Sequence, residues 1–240
     1  MGFNRRASTW LGALLAVAVA PPLLMAARED ATAAPAAGIG SWGSVMDWGL
    51  QGKHMSVLSS GKVIVWSNGA SARIWDPAKG TFTANTPATF GDLHCAGNAQ
   101  TADGRLIVFG GQNGATHVGI PVTALFDPAT ETWTQGKSMA WSRWYPSTTT
   151  LADGRVLATS GDDENGKRIT TPEVYNPAND SWVKLTGAVR DQGLYPQMYQ
   201  LPNGKVFEAA PESRTAILDP SGTGSWTAGP VNGWATNGYS

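Results

Sequence analysis

From about Gly43 onward the apolar residues fall in short runs, cut off by glycine, proline, asparagine or aspartate, and no stretch carries helical spacing. Four of these runs begin alike. The turns Ser60-Gly61, Asp103-Gly104, Asp153-Gly154 and Asn203-Gly204 stand 43, 50 and 50 residues apart. Each is followed by Lys or Arg and then by apolar residues: Val63-Ile64-Val65-Trp66, Leu106-Ile107-Val108-Phe109, Val156-Leu157 and Val206-Phe207. Asp-Gly or Asn-Gly between apolar runs predicts a tight hairpin with both central residues at positive φ. A second mark follows in every unit: Trp75-Asp76-Pro77, Phe126-Asp127-Pro128, Tyr175-Asn176-Pro177 and Leu218-Asp219-Pro220. An aromatic then closes it, at Phe82, Trp133, Trp182 and Trp226. Each unit therefore predicts four strands, the first two joined by a hairpin and the last two by a Pro-marked turn. Four strands at this period define an all-β, kelch-type β-propeller with about four four-stranded blades.

Residues 1–37 do not follow the pattern. Arg5 and Arg6 precede an apolar core from Leu11 to Ala20, and Ala31-Thr32-Ala33 offers a cleavage site. The segment reads as a signal peptide and linker, with 38–240 as the propeller and the product secreted. An uncleaved surface anchor is the alternative, and Pro21 and Pro22 weigh against a spanning helix. The formal net charge of -1 gives no basic field for nucleic acid, and after signal cleavage no part of the chain calls for a membrane. Export draws attention to the one cysteine, Cys95, because an odd thiol in a secreted protein is buried, intermolecular or chemically employed.

The repeat gives that thiol a phase. Cys95 stands nine residues before Gly104, Tyr145 nine before Gly154, Tyr195 nine before Gly204, and Gly52 nine before Gly61. The first strand of a blade lies nearest the propeller axis, so this position is expected on the inner strand, near the mouth of the central channel. Cys95 and Tyr145 would then be neighbours. The plain alternative is that both are packed inner-strand residues. The closing aromatics precede the same phase by 13, 12 and 13 residues, and Trp226 precedes Tyr239 by 13, so a fifth inner strand is expected to begin where the sequence stops. That suggests an incomplete larger propeller with open sheet edges.

Three motifs occupy this phase: Asp92-Leu93-His94-Cys95-Ala96-Gly97, Arg143-Trp144-Tyr145-Pro146 and Leu194-Tyr195-Pro196, with Pro172-Glu173-Val174-Tyr175-Asn176-Pro177 between the last two. Together they resemble the copper-radical oxidases, galactose oxidase and above all the glyoxal-oxidase-like branch. The resemblance implies a seven-bladed propeller of which this chain holds the first part. It also implies a thioether bond from Cys95 to the ring of Tyr145, with the Tyr145 phenolate ligating copper. Such a Cys–Tyr radical cofactor beside copper oxidises a small aldehyde, a primary alcohol or a carbohydrate with O2, giving H2O2. Phenolate and imidazole suit the tetragonal preference of copper(II). Trp144, Tyr195 and His54 are placed to line the channel, with Trp144 either covering the cross-link or simply packed.

The match has gaps. A Tyr-His pair and a further His complete the copper shell in that family, and no such motif occurs in this sequence. Thus the remaining copper ligands are missing and the chain alone is expected to be inactive. His94 is expected to face away from Cys95 along a strand, and His117 to be solvated. Pro196 follows Tyr195 where the galactose-specific branch carries an Arg, and Gly161-Asp162-Asp163-Glu164, read as a solvated turn, occupies the place of its radical-shielding aromatic. The competing reading is a non-catalytic kelch propeller that binds glycan or protein.

Overall fold

The computed structural model describes residues 42–67, 71–85, 90–114, 118–210 (without the side chain of 210) and 213–231. The expected signal and linker, His117 and Tyr239 lie outside the described residues. Met1–Val45 forms one unit, whose residues 42–45 are in no strand, and Met46–Ser240 forms the other, which holds every described strand.

Every regular element described in that unit is a strand. The first blade comprises β1 (His54–Val57), β2 (Val63–Trp66), β3 (Ala72–Asp76) and β4 (Thr81–Ala84). The second comprises β5 (Gly97–Gln100), β6 (Leu106–Phe109), β9 (Thr123–Asp127) and β10 (Thr132–Gln135); the small hairpin β7 (Gln112–Asn113) and β8 (Val118–Gly119) interrupts it. The third is β11 (Ser147–Thr150), β12 (Val156–Thr159), β13 (Glu173–Asn176) and β14 (Ser181–Lys184). The fourth is β15 (Gln197–Gln200), β16 (Val206–Ala210), β17 (Arg214–Asp219) and β18 (Ser225–Val231). All pairings are antiparallel between neighbours, as the four-strand units predict. The hairpin β7–β8 has no counterpart in the other repeats.

The hairpin turns differ from expectation in one respect. Only the glycines Gly61, Gly104, Gly154 and Gly204 take positive φ, at 79–84°; the residues before them do not. The loop is one residue longer than a two-residue hairpin. Leu58 and Lys62 close it, and the Gly61 N–H returns to the Leu58 carbonyl, with the same pattern at Thr101, Leu151 and Leu201. This is a type I turn followed by a left-handed bulge residue, which needs Gly at one place only. The preceding Asp or Asn is used differently: Asp103, Asp153 and Asn203 accept the backbone N–H two residues on.

Successive blades pack face to face, so the second and third are buried on both faces. Ile64 and Ile74 of the first blade pack on Leu106 and Phe126 of the second; Ile107 and Leu125 pack on Val156 and Tyr175 of the third; Leu157 and Val174 pack on Val206 and Leu218 of the fourth. The closing tryptophans stitch these seams. Trp133 Nε1 donates to Asn85 at 2.6 Å, Trp182 Nε1 to the Lys137 carbonyl at 2.8 Å and Trp226 Nε1 to the Ala188 carbonyl at 2.8 Å. At the other edge β11 lies against both β5 and β15, so the first strands are innermost. Thr148 and Thr150 hydroxyls on β11 each donate at 2.6 Å to β5 carbonyls, of Asn98 and Gln100.

Candidate redox site

Cys95, Tyr145 and Tyr195 are not on the inner strands. Each lies two residues before one, in the left-handed region, with φ of 60°, 60° and 48°. Gly52, in the same phase, does not share that conformation. A non-glycine residue held there costs of order 1–3 kcal/mol, so its surroundings must over-determine it. They do. The Tyr145 N–H donates to the Cys95 carbonyl at 2.9 Å, and the Tyr195 N–H donates to the Tyr145 carbonyl at 3.0 Å. Three blades are thereby linked through Cys95, Tyr145 and Tyr195.

The left-handed turn also brings aromatic rings together. Trp144 stacks on its neighbour Tyr145 with centroids 3.9 Å apart and an interplanar angle of 14°. Tyr195 stacks on Tyr145 at 4.7 Å and 28°. Trp144 therefore lies flat on the phenol ring. Cys95 is buried, 4% exposed. Burial pushes its thiol up, and hydrogen bonding from Tyr145 and, more weakly, Trp144 pulls it back. Trp144 Nε1 has no hydrogen-bond partner of good geometry, so Tyr145 is the thiol's principal contact.

A cavity of about 250 Å³ opens beside these groups, lined by Lys53, His54, His94, Cys95, Tyr145 and Tyr195. His94 thus does not face away from Cys95. The segment before β5 is a turn, to which the alternation of a strand does not apply. His54 begins β1 and stacks on Trp66 at 5.0 Å and 14°. Burial above all, then the positive charge of His94 and Lys53, holds its imidazole down at about 4, against the opposing pull of Asp92. The sign follows directly. Because the unfolded imidazole takes its proton near 6.5, the folded state is expected to lose stability as pH falls from there towards 4. Thermal melts at pH 7 and pH 5, compared between the parent and His54→Gln, test this; an equal pH dependence in both contradicts it.

The segment carrying Tyr145 is anchored by a pair of wholly buried charges. Arg143 and Glu173 are each 0% exposed, with Arg143 Nη2 3.0 Å from Glu173 Oε2. Arg143 also donates to the Ser160 carbonyl at 2.6 Å and the Thr171 carbonyl at 2.8 Å, while Glu173 accepts the Ala140 N–H at 2.8 Å. Trp144 exchanges backbone hydrogen bonds with Asp162 at 2.7 and 2.9 Å. The acidic turn is therefore less solvated than expected. Asp162 also holds Arg168 at 2.6 Å, and Asp163 accepts the backbone N–H groups of Asn165 and Lys167.

Lys53, His94 and the Arg143–Glu173 pair are the parts that sequence reasoning left without a role. Arg143 and Glu173 stood inside quoted motifs, and a charge in each of two otherwise apolar motifs was a usable signal. As to copper, the described residues contain no cluster of three His, Cys, Asp or Glu side chains able to hold a metal ion.

No family model matches the chain. Two galactose oxidase sequences from Gibberella zeae, one from strain PH-1, are each 29% identical over 217 residues, covering 80% of this chain and 31% of the relative. Among solved structures, a fungal alcohol oxidase of the AA5 family in complex with copper superposes with a TM-score of 0.61 at 25% identity, covering 74% of this chain and 40% of that one. By sequence and by fold the chain is similar to the copper-radical oxidases. It spans about a third of the length of the curated relatives it matches. Among the described residues no helix is long and apolar enough to cross a membrane.

Proposed function

We propose that this chain supplies the Cys95–Tyr145 half of an exported copper-radical oxidase that acts on small aldehydes or primary alcohols with O2. The observation that supports it most is the stack Trp144–Tyr145–Tyr195 built around a buried thiol, all three phase residues being held in left-handed backbone. A thioether formed between Cys95 and the Tyr145 ring makes that phenol easier to oxidise, so it can give up one electron and remain a radical. The Trp144 and Tyr195 rings on either side shield it from solvent and from side reactions. Copper, when bound through the Tyr145 oxygen, supplies the second electron change of a two-electron oxidation. With Tyr145 as the one copper ligand proposed in this chain, the chain alone is expected to show no turnover.

The cross-link is the test. The thiol loses its hydrogen and the ring a hydrogen beside the phenol oxygen, a carbon–sulfur bond forms, and dioxygen takes both electrons and both protons as peroxide. In an extended form of the protein that supplies the remaining copper ligands, incubation with copper(II) in air is expected to lower the intact mass by that of two hydrogen atoms. Cys95→Ala and Tyr145→Phe should each abolish the loss. An unchanged parent mass, or a loss that persists in either variant, overturns the proposal and leaves a kelch propeller with a buried thiol.

A further inference from the structure

Lys53 sits at the entry to β1, in neither of the motifs that carry the proposed chemistry. It lines the cavity of about 250 Å³ beside Tyr145. It also lines a second cavity of about 400 Å³ that shares His54 and Tyr195 with the first and continues along the inner strands past Asn98, Ser147 and Thr148. Its ammonium is near enough to both His54 and Cys95 to bias each electrostatically. Among the described residues no carboxylate side chain lines either cavity. The nearest, Asp92, is engaged elsewhere: its two oxygens accept the His94 N–H at 3.0 Å and the Gln112 side-chain N–H at 2.8 Å. Among the described residues no ion pair holds the Lys53 side chain. His54 is neutral at physiological pH, so it adds no fixed charge. Among the described residues lining this double cavity, Lys53 is therefore the one lysine, arginine, aspartate or glutamate.

We infer that the double cavity binds small hydroxy- or oxo-compounds that carry a carboxylate, with the Lys53 ammonium on the carboxylate. The reacting carbon then points towards Tyr145. An ammonium among lining side chains that include no carboxylate discriminates by charge more than by shape, because a carboxylate forms a charge-assisted hydrogen bond with it and a neutral hydroxyl only an ordinary one. The neutral His54 imidazole and the Tyr195 ring bound the same space. As a statement about substrate this rests on the oxidase reading; as a statement about binding it does not.

The test separates the two. Glycolate and ethylene glycol are nearly the same size and differ in one charged group. Each is titrated into the copper-free chain at fixed ionic strength while the NMR resonances of His54 and Tyr195 are followed. Glycolate should bind about two- to fivefold more tightly than ethylene glycol, the size of effect a charge-assisted contact to a solvent-exposed ammonium gives. Lys53→Met should remove that preference and Lys53→Arg should keep most of it, with unchanged melting temperature in both. Equal binding of the two probes, no binding of glycolate, or full preference retained in Lys53→Met overturns the inference. If the preference is found but the cross-link test fails, the cavity is a carboxylate site and the oxidase reading alone is lost.

Discussion

Glu173→Ala is expected to cost about 3–5 kcal/mol of stability, the usual result of removing one partner from a buried ion pair. Native domains have only about 5–15 kcal/mol in all, so the variant sits near the edge of folding. The cost comes from what remains behind. Arg143 keeps its charge, is fully buried, and loses its only counter-charge, while the Ala140 N–H loses its acceptor. Burial already pushes the Arg143 guanidinium down, with Glu173 opposing, and Arg143 Nε has no partner even in the intact pair. A pair that is incompletely satisfied is one that apolar residues can replace. The double variant Arg143→Met, Glu173→Leu is therefore expected to recover most of the stability lost in Glu173→Ala. Thermal unfolding followed by circular dichroism checks both. A small shift in the single variant, or a double variant no better than the single, shows that the charges are not desolvated as the structure has them.

The same pair shows where sequence reading stops. The repeat of turn, basic residue and apolar run predicted the blades because turn chemistry and strand alternation are local, and a local rule can be read from neighbours in the chain. The position of Cys95 and Tyr145 in one phase was legible for the same reason. What the phase could not show was backbone conformation. The two residues leave the strand pattern for a left-handed turn, and with that turn the reasoning that set His94 facing away failed. Lys53 was invisible for a different reason: it reaches the cavity from another blade, and no spacing within one repeat encodes a meeting across the axis. The stack of Trp144 on Tyr145 lay between these cases. Adjacent residues on a strand point apart, so only a break in the strand could bring the rings within 3.9 Å.

Gly110→Ala is expected to destabilise the protein by several kcal/mol and to misplace Tyr145, whereas Gly166→Ala should cost only about 1 kcal/mol. The two glycines have nearly the same backbone, with φ of 74° and 73°, so the conformational penalty of a side chain is common to both. Their surroundings are opposite. A Cβ on Gly166 meets nothing within 4 Å, but one on Gly110 would stand 2.3 Å from the Arg143 carbonyl oxygen. That oxygen cannot yield, because it accepts the Gly111 N–H at 3.1 Å and the next two residues are fixed by Asp162 and by Cys95. Gly111 repeats the crowding on the other side, since a Cβ there would stand 2.3 Å from the Asp92 carbonyl oxygen. The Gly110-Gly111 pair is thus the spacer between the segment ending in Cys95 and the segment ending in Tyr145. Urea denaturation should show a large fall in midpoint for Gly110→Ala beside a small one for Gly166→Ala. In the fraction of Gly110→Ala that remains folded, the two-hydrogen mass loss should be slowed. Equal midpoints in the two variants would mean that Arg143 moves aside, and that the spacing of thiol and phenol is set by something other than this close contact.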